Sequence, residues 1–265
     1  MKLVLGLFFP LIILFSCKSE VTNTPQLESK VHNWRLLDVE KTSSGERRQI
    51  LDGQTLVFDQ LEIHATSLNP GQAPHASHVH QDSEELVIIK DGFIKQTIGE
   101  EEKILGPGSI VLAMPGDEHG ISNAGETMAT YYIIKWRTQN FSALSLNKRQ
   151  PSVMLNWEDF VVDTNEKGNR RNVIKQPTIM VDELEMHVTT LNEGMKSHDQ
   201  HTHIDEEIIL VLSGEVEELI NDVPHKAEAG SVIFLNSEIP HGIRNIGDGP
   251  CSYFAIRWIP KDKTI

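Results

Sequence analysis

The sequence predicts an all-β protein made by tandem duplication of one double-sheet jelly-roll barrel. The first observation behind this is an internal repeat. Trp34 matches Trp157, Gly45 matches Gly168, and Arg47 and Arg48 match Arg170 and Arg171, all at a shift of 123 residues. Leu61 to Asn69 aligns with Leu184 to Asn192 at the same shift, with six of nine pairs identical. After a one-residue deletion ahead of Glu207 the shift becomes 122, and Gly108, His119 and Trp136 match Gly230, His241 and Trp258. This period is too long for a solenoid unit and suits a small domain. The second observation is a series of short runs rich in Val, Ile, Thr and aromatics, bounded by Gly, Pro, Asn and Asp, which is strand punctuation. The third is that no window carries a long amphipathic helical period. Many short, evenly spaced strands point to a sandwich or jelly roll.

Residues 1–17 read as a targeting segment. Lys2 supplies a positive start, and Leu3 to Phe15 is nearly all apolar, too short for a comfortable membrane span. The segment ends Leu14-Phe15-Ser16-Cys17, which resembles the bacterial lipoprotein processing signal and implies a mature chain that starts at a lipidated, palmitate-bearing Cys17. A plain signal peptide or an anchor helix is the competing reading. Lys18 stands where an Asp would hold a lipoprotein in the inner membrane of enterobacterial-type hosts. The expected location is therefore the cell envelope, at the outer membrane, on its periplasmic or surface face. The lipid would be the sole membrane contact. Residues 18–31 are polar and patternless and read as a flexible tether.

The two copies then span 32–150 and 151–265. Expected strands in the first include Thr55 to Asp59, Leu61 to Leu68, Leu86 to Ile89, Ser109 to Ala113 and Thr130 to Trp136. A short join around 148–156 implies barrels packed against each other. With a formal net charge of −14, the chain lacks the basic footprint that nucleic acid demands. The cysteines are Cys17 and Cys251, so a lipidated Cys17 leaves Cys251 without a partner, as a small buried hydrophobe.

Each copy carries a histidine pattern that points to metal. His78 and His80 alternate along a strand and so project to one face. Glu84 and Glu85 follow, then an apolar run ending at Gly92. Gly108 to Ala113 leads through Met114-Pro115-Gly116 to His119 and Asn123. Imidazoles joined by a carboxylate suit a divalent first-row metal. The second copy repeats this with His201, His203, Glu206, Glu207 and His241, and with Asn236 and Glu238 at the places of Met114 and Gly116. Solvated histidines and a wet acidic face are the competing reading.

These motifs resemble the two signatures of the cupin superfamily. The first is carried by Gly71, His78, His80, Glu85 and Gly92, and the second by Gly108, Gly116, His119 and Asn123. The resemblance covers nearly all of the mature chain and implies two cupin-type double-stranded β-helix barrels, a bicupin. It implies one divalent transition metal (Mn, Fe, Ni or Zn) per barrel. The ligands would be His78, His80, Glu85 and His119, then His201, His203, Glu207 and His241. Glu85 and Glu207 are preferred over Glu84 and Glu206 because each stands seven residues before a glycine. The superfamily usually has Pro at Met114, a position that shapes the turn. Glu238 occupies a glycine position, so a turn of changed shape is expected in the second copy. On that ground the first copy is expected to be the principal active site.

Other candidates carry two readings each. Glu62, His64 and Thr66, with Glu185, His187 and Thr189, line either a substrate pocket or an outer face or domain interface. Arg47, Arg48, Arg170 and Arg171 either hold a substrate carboxylate or are surface charge. Lys135 and Arg257 sit at matching strand ends beside Tyr131 and Tyr253. His75 and His198 either support the metal ligands or lie in solvated loops. No proton donor stands out and no catalytic residue is assigned. The expected function is a metal-dependent enzyme acting on a small oxygen-rich acid or a sugar or uronate derivative, of dioxygenase, decarboxylase or isomerase type. The alternatives are a metal- or carbohydrate-binding or sensing lipoprotein without turnover, and a duplication in which one site has lost its metal. A small-molecule substrate is the expected partner, and a homo-oligomer is left open.

Overall fold

The computed structural model describes residues 26–138 and 150–261. Among these, helix is limited to two three-residue 3-10 turns, Trp34–Leu36 and Trp157–Asp159; the rest of the regular structure is strand. No helix among the described residues is long and apolar enough to cross a membrane. Cys17 and the lipidation signal lie outside the described residues.

The first barrel has a seven-stranded sheet and a four-stranded sheet. The larger is built from β2 (Glu40–Lys41), β3 (Gly45–Gly53), β4 (Gln60–Leu68), β6 (Glu84–Asp91), β9 (Ile110–Ala113), β11 (Ala129–Arg137) and β12 (Val153–Leu155), in the order β12-β9-β6-β11-β4-β3-β2. The smaller runs β5-β10-β7-β8, from β5 (His78–Val79), β7 (Ile94–Ile98), β8 (Glu101–Leu105) and β10 (Glu118–Asn123). In the second barrel the large sheet joins β1 (Lys30–His32), β13 (Val161–Asn165), β14 (Gly168–Gln176), β15 (Val181–Leu191), β16 (Glu206–Ser213), β19 (Val232–Leu235) and β21 (Cys251–Pro260). Its small sheet holds β17 (Glu215–Ile220), β18 (Val223–Glu228) and β20 (His241–Asn245).

The copies exchange their opening strands. β1 pairs with β19 of the second barrel, and β12, which opens the second copy, pairs with β9 of the first. Of the residues expected in a flexible tether, Lys30 and Val31 are therefore part of the second barrel's edge, and Leu27 N donates to Gln54 O of the first barrel at 2.8 Å. Asn236 donates its backbone N–H to Ser29 Oγ and its side-chain amide to Leu27 O, which ties the stretch down without any apolar period. The matching tryptophans complete the exchange. Trp34 lies over Gly230 and Trp157 over Gly108, where a Cβ would come within 2.8 Å and 2.3 Å of the rings. Arg48 and Arg171 stack on these indoles, at 4.7 Å and 4.4 Å from the ring centroids. Of each arginine pair, one member thus braces the exchange.

The period of two sorts the large sheets into two faces. Leu61, Ile63, Leu86 and Ile88 join Leu184, Met186, Ile208 and Leu210 in a single core between the barrels. Val87, Ile89 and Tyr131 fill the first barrel, and Ile209, Val211 and Tyr253 the second. Trp136 and Trp258 meet in the shared core at 5.5 Å. Cys251 is buried, packed beneath Gly214.

Two carboxylates clasp the interface. Glu84 Oε1 accepts hydrogen bonds from Ile179 N (2.9 Å) and Met180 N (3.3 Å) of the second barrel, and its Oε2 accepts from Trp136 Nε1 (2.8 Å). Glu206 Oε1 accepts from Leu56 N (2.8 Å) and Val57 N (3.3 Å) of the first barrel. The expected strand over Thr55 to Asp59 is consequently a bend. Thr55 Oγ1 accepts from Val57 N and Phe58 N, and Glu206 takes the backbone donors a ladder would have used.

Candidate metal centres

In the first barrel the small sheet brings the histidines together. His119 on β10 pairs in register with His78 on β5. The turn before His119 is closed by Gly116 N donating to His80 O at 2.8 Å, with Gly116 at φ 89°. Glu85 arrives from β6, on the inward face, while its neighbour Glu84 faces the other barrel. His78 Nε2 and His80 Nε2 are 3.0 Å apart, Glu85 Oε2 is 3.0 Å from His80 Nε2, and Glu85 Oε1 is 3.5 Å from His119 Nε2. One donor atom from each of the four residues lies within 4.8 Å of all the others.

This donor set fits a divalent cation. His119 Nδ1 donates to Asp117 O at 3.0 Å, which leaves the lone pair on Nε2. That buried Nε2 has no hydrogen-bond partner among the described residues. Burial, then the neighbouring imidazoles of His119, His80 and His75, lower the pKa of His78 to about 4, so it offers a neutral ring. Ligand nitrogens about 2.1 Å from one ion and at right angles sit about 3 Å apart, which is the spacing of His78 Nε2 and His80 Nε2. Burial pushes Glu85 up, but the His119 and His80 rings beside it outweigh this and hold the carboxylate well below its ordinary range.

The second barrel repeats the arrangement with a looser carboxylate. The donors of His201, His203 and His241 lie within 4.8 Å of one another. Glu207 Oε2 lies 3.2 Å from His203 Nε2 and 3.3 Å from His241 Nε2, close to two of the three histidines but outside the mutually close set. His241 Nδ1 donates to Ile239 O at 2.8 Å, and its buried Nε2 has no hydrogen-bond partner among the described residues.

The expected change of turn shape in this copy does not occur. Glu238 N donates to His203 O at 2.8 Å, as Gly116 N does to His80 O, and Glu238 adopts φ 59°. The hydrogen bonds of the turn outweigh the penalty of a left-handed non-glycine residue, about 1–2 kcal/mol. The ground for preferring the first copy as active site is thereby removed. Glu238→Gly is expected to raise the free energy of unfolding by about 0.5–1 kcal/mol, because the strain relieved exceeds the backbone entropy that Gly loses. Chemical denaturation checks this; a loss of stability contradicts it.

Each cluster opens into a cavity, of about 390 Å³ in the first barrel and about 290 Å³ in the second. The polar face of β4 points into the first and that of β15 into the second, so these side chains face the cavities and not the interface between the barrels. Arg47 and His64 line the first, Arg170 and His187 the second. The arginines are engaged: Arg47 bonds Glu62 at 2.9 Å and Arg170 bonds Glu185 at 2.8 Å. Lys135 and Arg257 join the same carboxylates at 3.1 Å and 3.3 Å. A hydrogen bond from His64 is the largest influence lowering Glu62, to about 2, and Lys135 adds to it. His75 and His198 are exposed, yet each stacks edge-on against the first histidine of its cluster, at 4.4 Å and 4.1 Å.

The cupin domain family matches residues 64–135 and 187–257, one match in each barrel. The chain belongs to the cupin family. Its fold is that of a bicupin, and solved structures share it over most of its length. A candidate glyoxylate-induced protein from Pseudomonas aeruginosa superposes with TM-score 0.69 at 14% identity, covering 92% of this chain and 94% of that one. The Lactobacillus farciminis oxalate decarboxylase formate complex gives 0.65 at 14%, covering 91% and 89%. Bacillus subtilis oxalate decarboxylase, a protein with Mn(II) centers, gives 0.64 at 15%, covering 92% and 79%. At these identities the likeness shows the cupin fold. Among curated proteins none matches the chain significantly in sequence.

A buried carboxyl of the bicupin cavities is absent from the candidates that spacing singles out. Glu218, on β17, lines the second cavity and is 1% exposed. Its sequence signal is weak but present: Val216 and Ile220 occupy the inward face of the same strand, and a carboxylate breaks that apolar alternation.

Proposed function

We propose that this bicupin is a metal-dependent enzyme of the cell envelope, with one divalent transition metal in each barrel and a small oxygen-rich acid as substrate. The observation that carries the reading is the pair of clusters whose third histidine, His119 or His241, turns an unpartnered, buried Nε2 toward a carboxylate at the floor of an open cavity. His78, His80, Glu85 and His119 would hold the first ion, and His201, His203, Glu207 and His241 the second. A bound ion supplies Lewis-acid polarisation of a substrate oxygen or activation of water. The Asp117 and Ile239 carbonyls orient the third imidazole of each set. Lys135 with Arg47, and Arg257 with Arg170, place positive charge on the wall a carboxylate would approach. Manganese is the first metal to try, and oxalate the first substrate, by analogy with the oxalate decarboxylases of the same fold.

The experiment is turnover of oxalate, keto acids, uronates and catechols by protein loaded in turn with Mn, Fe, Ni or Zn. Metal-dependent consumption of one class supports the reading, and absence of turnover across the panel contradicts it. The engagement of Arg47 and Arg170 by Glu62 and Glu185 favours a second reading, metal or carbohydrate binding without turnover; ligand binding with no product is its signature. The envelope location rests on Leu14-Phe15-Ser16-Cys17. Cys17→Ser is expected to release the protein from the membrane fraction or leave it unprocessed, and unchanged fractionation and mass would refute the anchor.

A further inference from the structure

The barrels differ in one buried carboxyl. Glu218 pairs with Ile243 across β17 and β20, and the same register in the first barrel pairs Gln96 with Ile121. Gln96 is buried outside the wall of the first cavity, and its amide donates to Thr97 O. Glu218 is in the wall of the second, among Glu207, His201, His203 and His241. Among the described residues neither Glu218 oxygen has a hydrogen-bond partner. The Gly242 N–H faces it and offsets a little of the cost without making a directed hydrogen bond. A buried carboxyl with no partner is costly and calls for one. The cavity is the open side, and a ligand on the metal cluster would stand there.

We propose that Glu218 is the acid of the second barrel, contacting the ligand bound at the His201–His203–Glu207–His241 cluster and giving it a proton. This rests on the metal reading above. In the step, the Glu218 O–H bond breaks as a new bond to hydrogen forms on the ligand, and the carboxylate regains its proton from water entering the cavity. Burial, then the charge of Glu207, hold Glu218 well above the ordinary carboxylate range, in keeping with a protonated acid beside an ionised one. The first barrel, with Gln96, lacks this group, so proton transfer belongs to the second.

Glu218→Gln tests this because it installs the residue of the first barrel with little change of shape. Four measurements are made on full-length protein: metal content, the infrared carbonyl stretch of protonated carboxylic acids, its change on adding oxalate or formate to Mn-loaded protein, and oxalate turnover. Wild type is expected to show a protonated-carboxyl band that Glu218→Gln removes and that either anion shifts. Metal content is expected to be equal in the two, with turnover about 100-fold lower in the variant. If Glu218→Gln does not fold, Glu218→Asp displaces the same band. A band unmoved by both anions, or a Glu218→Gln protein as active as wild type, overturns the proposal; where wild type does not consume oxalate, the band alone decides. A second barrel without metal overturns the metal reading instead, a failure that elemental analysis separates from the other.

Discussion

Glu85→Ala is expected to empty the first barrel of metal and leave the second loaded. Glu85 is the sole anion of its cluster and touches two of its imidazoles, His80 at 3.0 Å and His119 at 3.5 Å. Removing a group that merely orients a ligand costs about 10–100-fold in metal affinity, so losing the carboxylate itself costs at least about 100-fold. Calorimetric titration with Mn(II) should pass from two sites per chain to one. Glu207→Ala should empty the second barrel in the same way, and if Glu218 acts there it should take most of the turnover with it. Two sites surviving in Glu85→Ala would mean that the carboxylate is structural.

Glu84→Ala is expected to have the largest effect on stability. It leaves the Ile179 and Met180 N–H groups and the Trp136 indole N–H without their acceptor. Unsatisfied buried donors cost about 1–3 kcal/mol each, so a loss of roughly 3–5 kcal/mol is expected. For a chain of this size that is a fall of about 6–20 °C in Tm. Glu206→Ala should cost less, because Glu206 lacks the indole donor that Glu84 has in Trp136: its Oε2 and Trp258 Nε1 have no partner among the described residues. Thermal melts of the two variants check both the size and the order. Equal, small shifts would show that the clasp contributes little beyond the apolar core between the barrels.

The two glutamates also show what was legible in the sequence. Strand alternation separates Glu84 from Glu85 without further information, because neighbours on a strand face opposite sides. The seven-residue spacing to Gly92 and Gly214 selects the same member as the inward geometry. The duplication and the histidine clusters were readable for a similar reason: they are repeated, local and periodic. The exchanged strands were not. Residues 26–31 are held through backbone groups, Ser29 and two separate apolar contacts, Leu27 and Val31, so no hydrophobic period marks them. Glu238 misled because conformational preference is a local quantity, and the His203 carbonyl that holds the turn comes from far along the chain. Glu218 was hidden by its register. The alternation of Val216 and Ile220 puts the fourth residue of this strand inward, and the pairing of β17 with β20 is what brings that inward face to the cavity.

The central claim is that each barrel holds one metal ion. Elemental analysis of full-length protein, purified from its native cells without chelator or metal-charged resin, tests it most directly. Two first-row transition-metal ions per chain are predicted, falling to one in either Glu85→Ala or Glu207→Ala. A wild-type chain that carries none, and takes up none when Mn, Fe, Ni and Zn are supplied, would contradict the account.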